Sequence, residues 1–514
     1  MKIFVFCEER RSRDARRPSI RDKSVNGAEA SQQGTMKVCL INAPWEEEEK
    51  WGIRAGCRFP NLMRKRHNAY LPYPFLLAYT ASFLESKGVD VLLIDGVAER
   101  CDPSSFMNRV HAFAPDLVIA ESSTPSLHYD LARMQEIKTA NPTARIVLYG
   151  PHLSVCPRDG LATPAVDYVI VGEPEHTAYE LIQALTRGGN LAKIAGLVYR
   201  EANGNVRINP RRPLIDINQL PYPKRHGLPM ERYSVPGFPS PVVYMYGSRG
   251  CPFMCTFCLW PQTIFERGKY RARNAEKIVD EMEYVLQEFP QTRSFYFADD
   301  TFNLGRPRML KFAQEMKRRK LRFPYGIDGR ADHLDRELLE RMAETGLFTL
   351  RIGIESGDLN VLKKARKSLN LEQAREVLQI AHDLGIRNHI SLVIGLAEES
   401  WQSVENTIDY VKSLAIDSAQ FSVATPFPGT EYYRYVEERG LWKDRDWSKF
   451  SASDTAVMRT TYMTAEEVQK ATDHARRKVY FSPRFIKKRL RYVRDVRDLI
   501  AITGKAWRLV VARG

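Results

Sequence analysis

The sequence predicts an α/β protein in three parts: a doubly wound parallel-sheet domain, a partial (β/α)6 barrel, and a helical, basic C-terminal segment. Three observations carry this. Short apolar runs alternate with amphipathic stretches twice, over 36–190 and over 241–435. Composition is that of a globular chain, with 44% hydrophobic and 27% charged residues over 514, which excludes a mostly disordered, collagen-like or simple coiled-coil chain. The formal charge of +15 is concentrated at the ends: +3 over 1–35, +1 over 36–475 and +11 over 476–514. The body is nearly neutral, and no recognised nucleic-acid module accompanies the basic ends, which argues against a nucleic-acid partner. No run of about 18 apolar residues exists to span a membrane. The opening MKIFVFCEERRSRD turns charged too early for a secretory signal, so a cytoplasmic location is expected.

Residues 1–35 are polar, Arg-rich and aperiodic, and read as a disordered leader; Met36, just before the first strand, is a candidate start. Lys37–Asn42 (KVCLIN) is a buried strand. Pro74–Lys87 is an amphipathic helix stopped by Gly88. Strands follow at 89–95 (VDVLLID), 116–122 (DLVIAES), 145–150 (RIVLYG) and 167–173 (DYVIVGE), with helices between. Apolar strands separated by helices imply a parallel sheet covered on both faces. Asn203-Gly204 between apolar runs marks a hairpin over 196–210, and the Pro-rich stretch after it reads as a linker, so 191–240 separates two domains. From 242 the strands VVYMYGS, RSFYFAD, FPYGIDG, TLRIGIE, HISLVIG and AQFSVAT form the barrel. Active sites of such barrels lie at the C-terminal strand ends, where the unusual residues of this chain sit. Residues 436–514 form the C-terminal extension.

Three of the eight cysteines, Cys251, Cys255 and Cys258, are packed as C-x3-C-x2-C just after the first barrel strand; the others, Cys7, Cys39, Cys57, Cys101 and Cys156, are scattered. Three thiolates suit a soft metal centre. An iron–sulfur cluster bound by three keeps one iron without a protein ligand. A structural zinc site needs a fourth ligand, and the next histidine is His333.

This loop, C-x3-C-x-aromatic-C after a barrel strand, resembles the radical S-adenosylmethionine (SAM) family. The resemblance implies that Cys251, Cys255 and Cys258 hold a [4Fe–4S] cluster whose open iron is chelated by SAM, with Phe257 beside it. Cleavage of SAM then yields a 5′-deoxyadenosyl radical that removes hydrogen from substrate. It extends to other strand ends. Asp299 and Asp300 lie where the family contacts the SAM amino group; the alternative is capping of the next helix. Arg330 lies where a cation pairs with the SAM carboxylate, the alternative being a structural salt bridge. Glu355 and Ser356 resemble the ribose-contacting G-x-E-S segment; a buried structural Glu is the alternative. Gly395 allows close approach near adenine, although the family's G-L-P-G-E is here Gly395-Leu396-Ala397-Glu398-Glu399.

A doubly wound domain ahead of this barrel resembles the cobalamin-binding (class B) subgroup. That implies cobalamin as a further cofactor, held by strand-end loops carrying Asn42, Ser122, Ser123, Gly150, Gly172 and Glu173. The D-x-H-x-x-G axial motif is absent after the first strand, and His152 reads more readily as a structural histidine. The resemblance implies methylation of an unactivated carbon on a small-molecule or lipid substrate, with a flavodoxin- or ferredoxin-like electron donor. The alternatives are an oxidative cyclase or other non-methylating enzyme of the same subgroup, and a cofactor-binding protein without catalysis. In the tail, Ile486, Leu490, Val493, Val496 and Ile500 follow helical spacing among basic residues. Such a helix fits peripheral contact with the inner membrane face; the alternative is a solvated helix on the barrel rim.

Overall fold

The computed structural model describes residues 36–48, 50–64, 70–452 and 455–490. The expectations made for the leader, and for the tail beyond Leu490, lie outside them. β1 (Lys37–Asn42) is buried after its first residue. The chain then makes an antiparallel meander, β2 (Glu46–Glu47), β3 (Lys50–Ile53) and β4 (Asn61–Arg64). The sequence reading leaves this stretch unassigned because its strands are too short to show a period. Trp45 is fully buried beneath it, where Gly52 makes room: a Cβ there would meet the indole at 1.9 Å.

Next come the helix Phe75–Glu85, β5 (Asp90–Asp95), β6 (Leu117–Glu121), β7 (Arg145–Tyr149) and β8 (Tyr168–Ile170), with helices between them. β1 pairs with β5 on one side and β6 on the other, all parallel, so strand order reverses beside β1. The crevice beyond the ends of β1 and β6 is the expected ligand position of such sheets. The predicted hairpin forms as β9 (Leu197–Arg200) and β10 (Val206–Ile208), with Gly204 at φ +83° in its turn. It does not stand apart as part of a linker. β9 pairs antiparallel with β8, and the sheet runs β10-β9-β8-β7-β6-β1-β5. The reason is the open edge of β8, whose backbone groups the hairpin satisfies.

The second sheet holds β11 (Val242–Met245), followed by the antiparallel pair β12 (Ser248–Gly250) and β13 (Tyr270–Ala272), which brackets the cysteine loop. It continues with β14 (Ser294–Phe297), β15 (Tyr325–Gly329), β16 (Leu347–Glu355), β17 (Arg387–Ile394) and β18 (Ser418–Val423). The six long strands are parallel in the order β11-β14-β15-β16-β17-β18, a barrel left open between β11 and β18. β17 alternates: Asn388, Ile390, Leu392 and Ile394 are buried, while Arg387, His389, Ser391 and Val393 are half-buried. A parallel strand covered on both faces would be apolar throughout; this one presents a polar inner face to the barrel lumen.

Beyond the barrel, the helix Ala465–Tyr480 starts at a Thr464/Glu467 capping box and buries Val468, Ala471, Ala475 and Val479. The extension is not helical throughout: Trp442 and Met458 form an antiparallel bridge. The helix Pro483–Leu490 buries Phe485 against Tyr480, with ring centroids 4.7 Å apart, and leaves Ile486 exposed. No described helix is long and apolar enough to cross a membrane.

Candidate active site

The cysteine loop is built by a glycine and a glutamine. Gly250 has φ +80°, and a Cβ there would meet the Lys269 carbonyl at 2.4 Å. Gln262 Nε2 donates to the carbonyls of Cys255, Thr256 and Cys258 at 3.1, 3.0 and 2.8 Å. These bonds curl the loop around one side-chain amide. Gln262 escaped the sequence reading because an amide four residues past a motif has no pattern of its own. All three cysteines are free thiols, raised in pKa by burial. Three uncrosslinked sulfurs on one ordered loop are a donor set that fits an iron–sulfur cluster. Phe257 lies in an apolar cluster with Val361, Leu396 and Tyr432, against which Cys255 packs.

The paired acids divide their work. Asp299 accepts from Gly247 N at 3.0 Å and from the Ser248 hydroxyl, and burial pushes its carboxyl up to about 6. It holds the turn after β11. Asp300 accepts from Gly250 N at 3.1 Å with one oxygen, while its Oδ1 is buried without a hydrogen-bond partner, 4.0 Å from Arg58 Nε. A buried carboxylate oxygen left open beside the cysteine loop fits an ammonium. Neither acid caps a helix, since the next one begins after Gly305. Glu355 ends β16 at φ +70°, a strained backbone for a non-glycine residue and a frequent mark of functional sites. Its carboxylate meets Lys367 Nζ at 3.0 Å, in space that Gly353 leaves: a Cβ there would stand 2.3 Å from Oε1.

Several expected contacts are committed elsewhere. Arg330 holds Asp332 through two bonds of 2.9 and 2.6 Å, donates to the Ser368 carbonyl at 2.5 Å, and lies 3.7 Å from the Phe253 ring centroid. It braces the cysteine loop as a structural ion pair, so its assignment to the SAM carboxylate is corrected. The Ser356 hydroxyl is buried against Thr407 at 3.1 Å and accepts from Asp358 N; it secures a turn. Gly395, at φ +97°, meets protein: a Cβ would stand 2.7 Å from Val468. The turn after it is closed by Glu399, which accepts from Gly395 N at 2.6 Å and Leu396 N at 3.2 Å.

In the doubly wound domain, Asn42 donates to Asp95 at 2.7 Å, and its Oδ1 is buried without a partner. Trp45 Nε1 and Arg54 Nη1 are likewise buried and unpartnered. Arg54 otherwise seals the strand ends, bonding the Ala43 and Glu121 carbonyls at 2.6 and 3.1 Å and pairing with Asp130 at 3.0 Å. Three orphan polar atoms around one strand-end crevice fit a group with a polar rim, as cobalamin is. Ser122 is buried there, while Ser123 is occupied by Ser126 at 2.9 Å. Gly150, at φ +140°, meets the Ser122 carbonyl, 2.0 Å from an added Cβ, so it serves strand packing and not ligand approach. Gly172, at φ +84°, faces Arg211. Glu173 is corrected more sharply. It pairs with Arg249 at 2.8 Å and with Arg271 at 2.8 Å, and Glu175 pairs with Arg249 at 2.7 Å. Burial alone would raise the Glu173 carboxyl; the two arginines overcome this and hold it below its ordinary value. This cluster bolts the first domain to β12 and β13. His152 is buried, with both ring nitrogens engaged, by Thr124 at 3.1 Å and Asp159 at 3.2 Å.

Arg58, from the segment between β3 and β4, reaches across to the Asp328 carboxylate in the barrel, which also accepts from Tyr296 at 2.8 Å and Arg351 at 3.0 Å. No sequence pattern points to a pair separated by 270 residues.

Residues 245–411 match the radical SAM superfamily model, and residues 67–182 match the B12 binding domain model. An uncharacterized methyltransferase of Pyrococcus horikoshii is 33% identical over 417 residues, 80% of this chain and 89% of that protein. The anaerobic magnesium-protoporphyrin IX monomethyl ester cyclase of Rubrivivax gelatinosus is 27% identical over 382 residues, 71% of this chain and 66% of that one. Among solved structures, the radical S-adenosylmethionine methyltransferase TsrM from Kitasatospora setae, with cobalamin and a [4Fe–4S] cluster bound, superposes at a TM-score of 0.67. It is 17% identical, covering 88% of this chain and 90% of that one, and shows the shared fold. The chain belongs to the radical SAM superfamily, in the cobalamin-binding branch that joins a B12 domain to the barrel. It is a cobalamin-dependent radical SAM methyltransferase whose cofactors are a [4Fe–4S] cluster, SAM and cobalamin, and its substrate is a small molecule.

Proposed function

We propose that this enzyme methylates an unactivated carbon, with Cys251, Cys255 and Cys258 as cluster ligands and Asp300 receiving the SAM ammonium. The observation that carries the site assignment is the open, buried Asp300 Oδ1 beside three free thiols on one ordered loop. When bound, the cofactors supply a radical able to break an unreactive C–H bond and a methyl group to replace the hydrogen. The chain's own residues orient and exclude. Gln262 holds the backbone of the cysteine loop in its curl through three carbonyls. Phe257 and its apolar neighbours pack against Cys255 and keep water from that side of the loop. Glu355, braced by Lys367, offers a carboxylate to ribose hydroxyls. A flavodoxin- or ferredoxin-like donor supplies the electron. The seven described cysteines are free thiols, which suits a reducing cytoplasm; contact of the basic tail with the inner membrane face would bring a lipid substrate within reach.

The test is anaerobic reconstitution with iron, sulfide and hydroxocobalamin, followed by desalting. About four iron and one cobalt per chain are expected, with dithionite-dependent 5′-deoxyadenosine and S-adenosylhomocysteine both formed. Cys258→Ala loses iron and deoxyadenosine while retaining cobalt. Deoxyadenosine without S-adenosylhomocysteine would favour the cyclase chemistry of the Rubrivivax relative over methyl transfer.

A further inference from the structure

Two side chains on the inner face of the barrel have hydrogen-bonding capacity that the cofactor reading does not use. Arg351 on β16 and His389 on β17 are partners in register. Both point into the lumen, since their neighbours Leu350, Ile352, Asn388 and Ile390 are buried, and Asn388 bonds the Leu378 carbonyl of an outer helix. Arg351 spends only its Nε, on Asp328 at 3.0 Å; no described residue accepts from its two terminal nitrogens. Asp328 thus fixes the guanidinium at Nε, the Tyr296 ring lies against it with its centroid 5.6 Å away, and the hydrogen bonds of the forked end stay unused among the described residues. His389 sets Nδ1 at 2.8 Å from the Ser418 hydroxyl, and its Nε2 is buried without a partner. Burial first, and then the nearby Arg351, hold this imidazole far below its ordinary pKa, so the ring is neutral. A buried polar nitrogen without a partner is uncommon in native proteins, and a group in the lumen that accepts a hydrogen bond would satisfy His389 Nε2.

The charge balance gives that ligand a sign. With Asp300 turned to the SAM ammonium, as the proposed function has it, two guanidinium groups, Arg58 and Arg351, share the single Asp328 carboxylate. A unit positive charge is left facing the lumen at the free end of Arg351. We propose that the substrate carries an oxyanion, a phosphate, phosphonate or carboxylate, which docks on the terminal nitrogens of Arg351 and accepts a hydrogen bond from His389 Nε2–H. Ser418 then donates to Nδ1 and sets the tautomer. Arg351 and His389 are positioning residues, holding the charged end of the molecule so that its unreactive carbon lies toward the cluster. This rests on the proposed function and adds the class of substrate.

The test uses reconstituted holoenzyme and ligand-observed NMR: 31P line widths for inorganic phosphate and methylphosphonate, and 13C line widths for labelled acetate. Saturable broadening is expected for at least one anion, and the stronger of phosphorus or carboxyl probes identifies the headgroup. Arg351→Gln should weaken binding by about tenfold or more, the scale of a lost charge-assisted contact. His389→Phe should weaken it less, and His389→Gln, which keeps a donor, should restore most of it. The exposed Lys317→Gln should change nothing. Should Arg351→Gln fail to load iron, Arg351→Lys, which keeps the charge and loses the fork, takes its place with a smaller but measurable loss. Absence of saturable binding, or equal binding by wild type and the Arg351 variant, overturns the proposal. Dithionite-dependent deoxyadenosine from the same wild-type sample separates the readings: formed without anion binding, it leaves the radical chemistry standing and removes only the oxyanion.

Discussion

Glu399 is a buried carboxyl whose protonation is tied to a turn. It closes the loop after β17 by accepting from Gly395 and Leu396, and burial nonetheless pushes it up to about 8 from 4.5. The folded protein keeps this proton where the unfolded chain has lost it. The associated stability is therefore fully present below pH 4.5 and is lost as pH rises through about 8. Glu399→Gln keeps the acceptor and removes the ionisation. Its melting temperature should match wild type near pH 5 and exceed it by roughly 2 °C or more at pH 8. Parallel melting curves at both pH values would show that Glu399 does not titrate with folding. In sequence this stretch is only a departure from G-L-P-G-E; the fold replaces the usual turn with Glu399 folded back on the two amides.

At the scale of elements, the ends of β6 and β7 are held together at Gly150. A Cβ there would lie 2.0 Å from the Ser122 carbonyl, and φ +140° disfavours any other residue. Gly150→Ala must move one strand end. It should cost about 2 kcal/mol or more and lower cobalt retention while iron loading persists, as read by metal analysis of one reconstituted sample. Loss of both metals together would mean that the two sheets do not respond separately. The strands and the Asn203-Gly204 hairpin are legible in sequence because period and turn chemistry are local. The meander β2–β4 is not, because strands of two to four residues carry no period and its order comes from Trp45 packed beneath Gly52.

For the whole molecule, the joint between the sheets is the buried cluster of Arg249, Arg271, Glu173 and Glu175. Ion pairs of this kind add little over an apolar joint, but breaking one leaves charges with neither water nor partner. Arg249→Met should destabilise by about 3–5 kcal/mol, seen as a drop in melting temperature with cobalt lost before iron. A variant as stable as wild type would show that Arg271 alone neutralises both acids. Arg58 makes the second connection, from the first domain to Asp328.

Alternating strands and helices, two α/β units and a three-thiol ligand set were all determined by sequence alone, since each is written in neighbouring residues: a burial period, a turn dipeptide, three soft ligands within eight positions. The tertiary structure decided which polar groups remain free. Asp300 keeps an open oxygen while Asp299 is consumed by the turn after β11, although the two are adjacent and identical. Glu173 faces arginines 76 and 98 residues away instead of a corrinoid, Arg330 is tied to Asp332, and His389, beside Arg351, keeps a buried nitrogen without a partner. Partner choice over such separations depends on which side chains folding desolvates together, and that is a property of the packed chain, not of any stretch of its sequence.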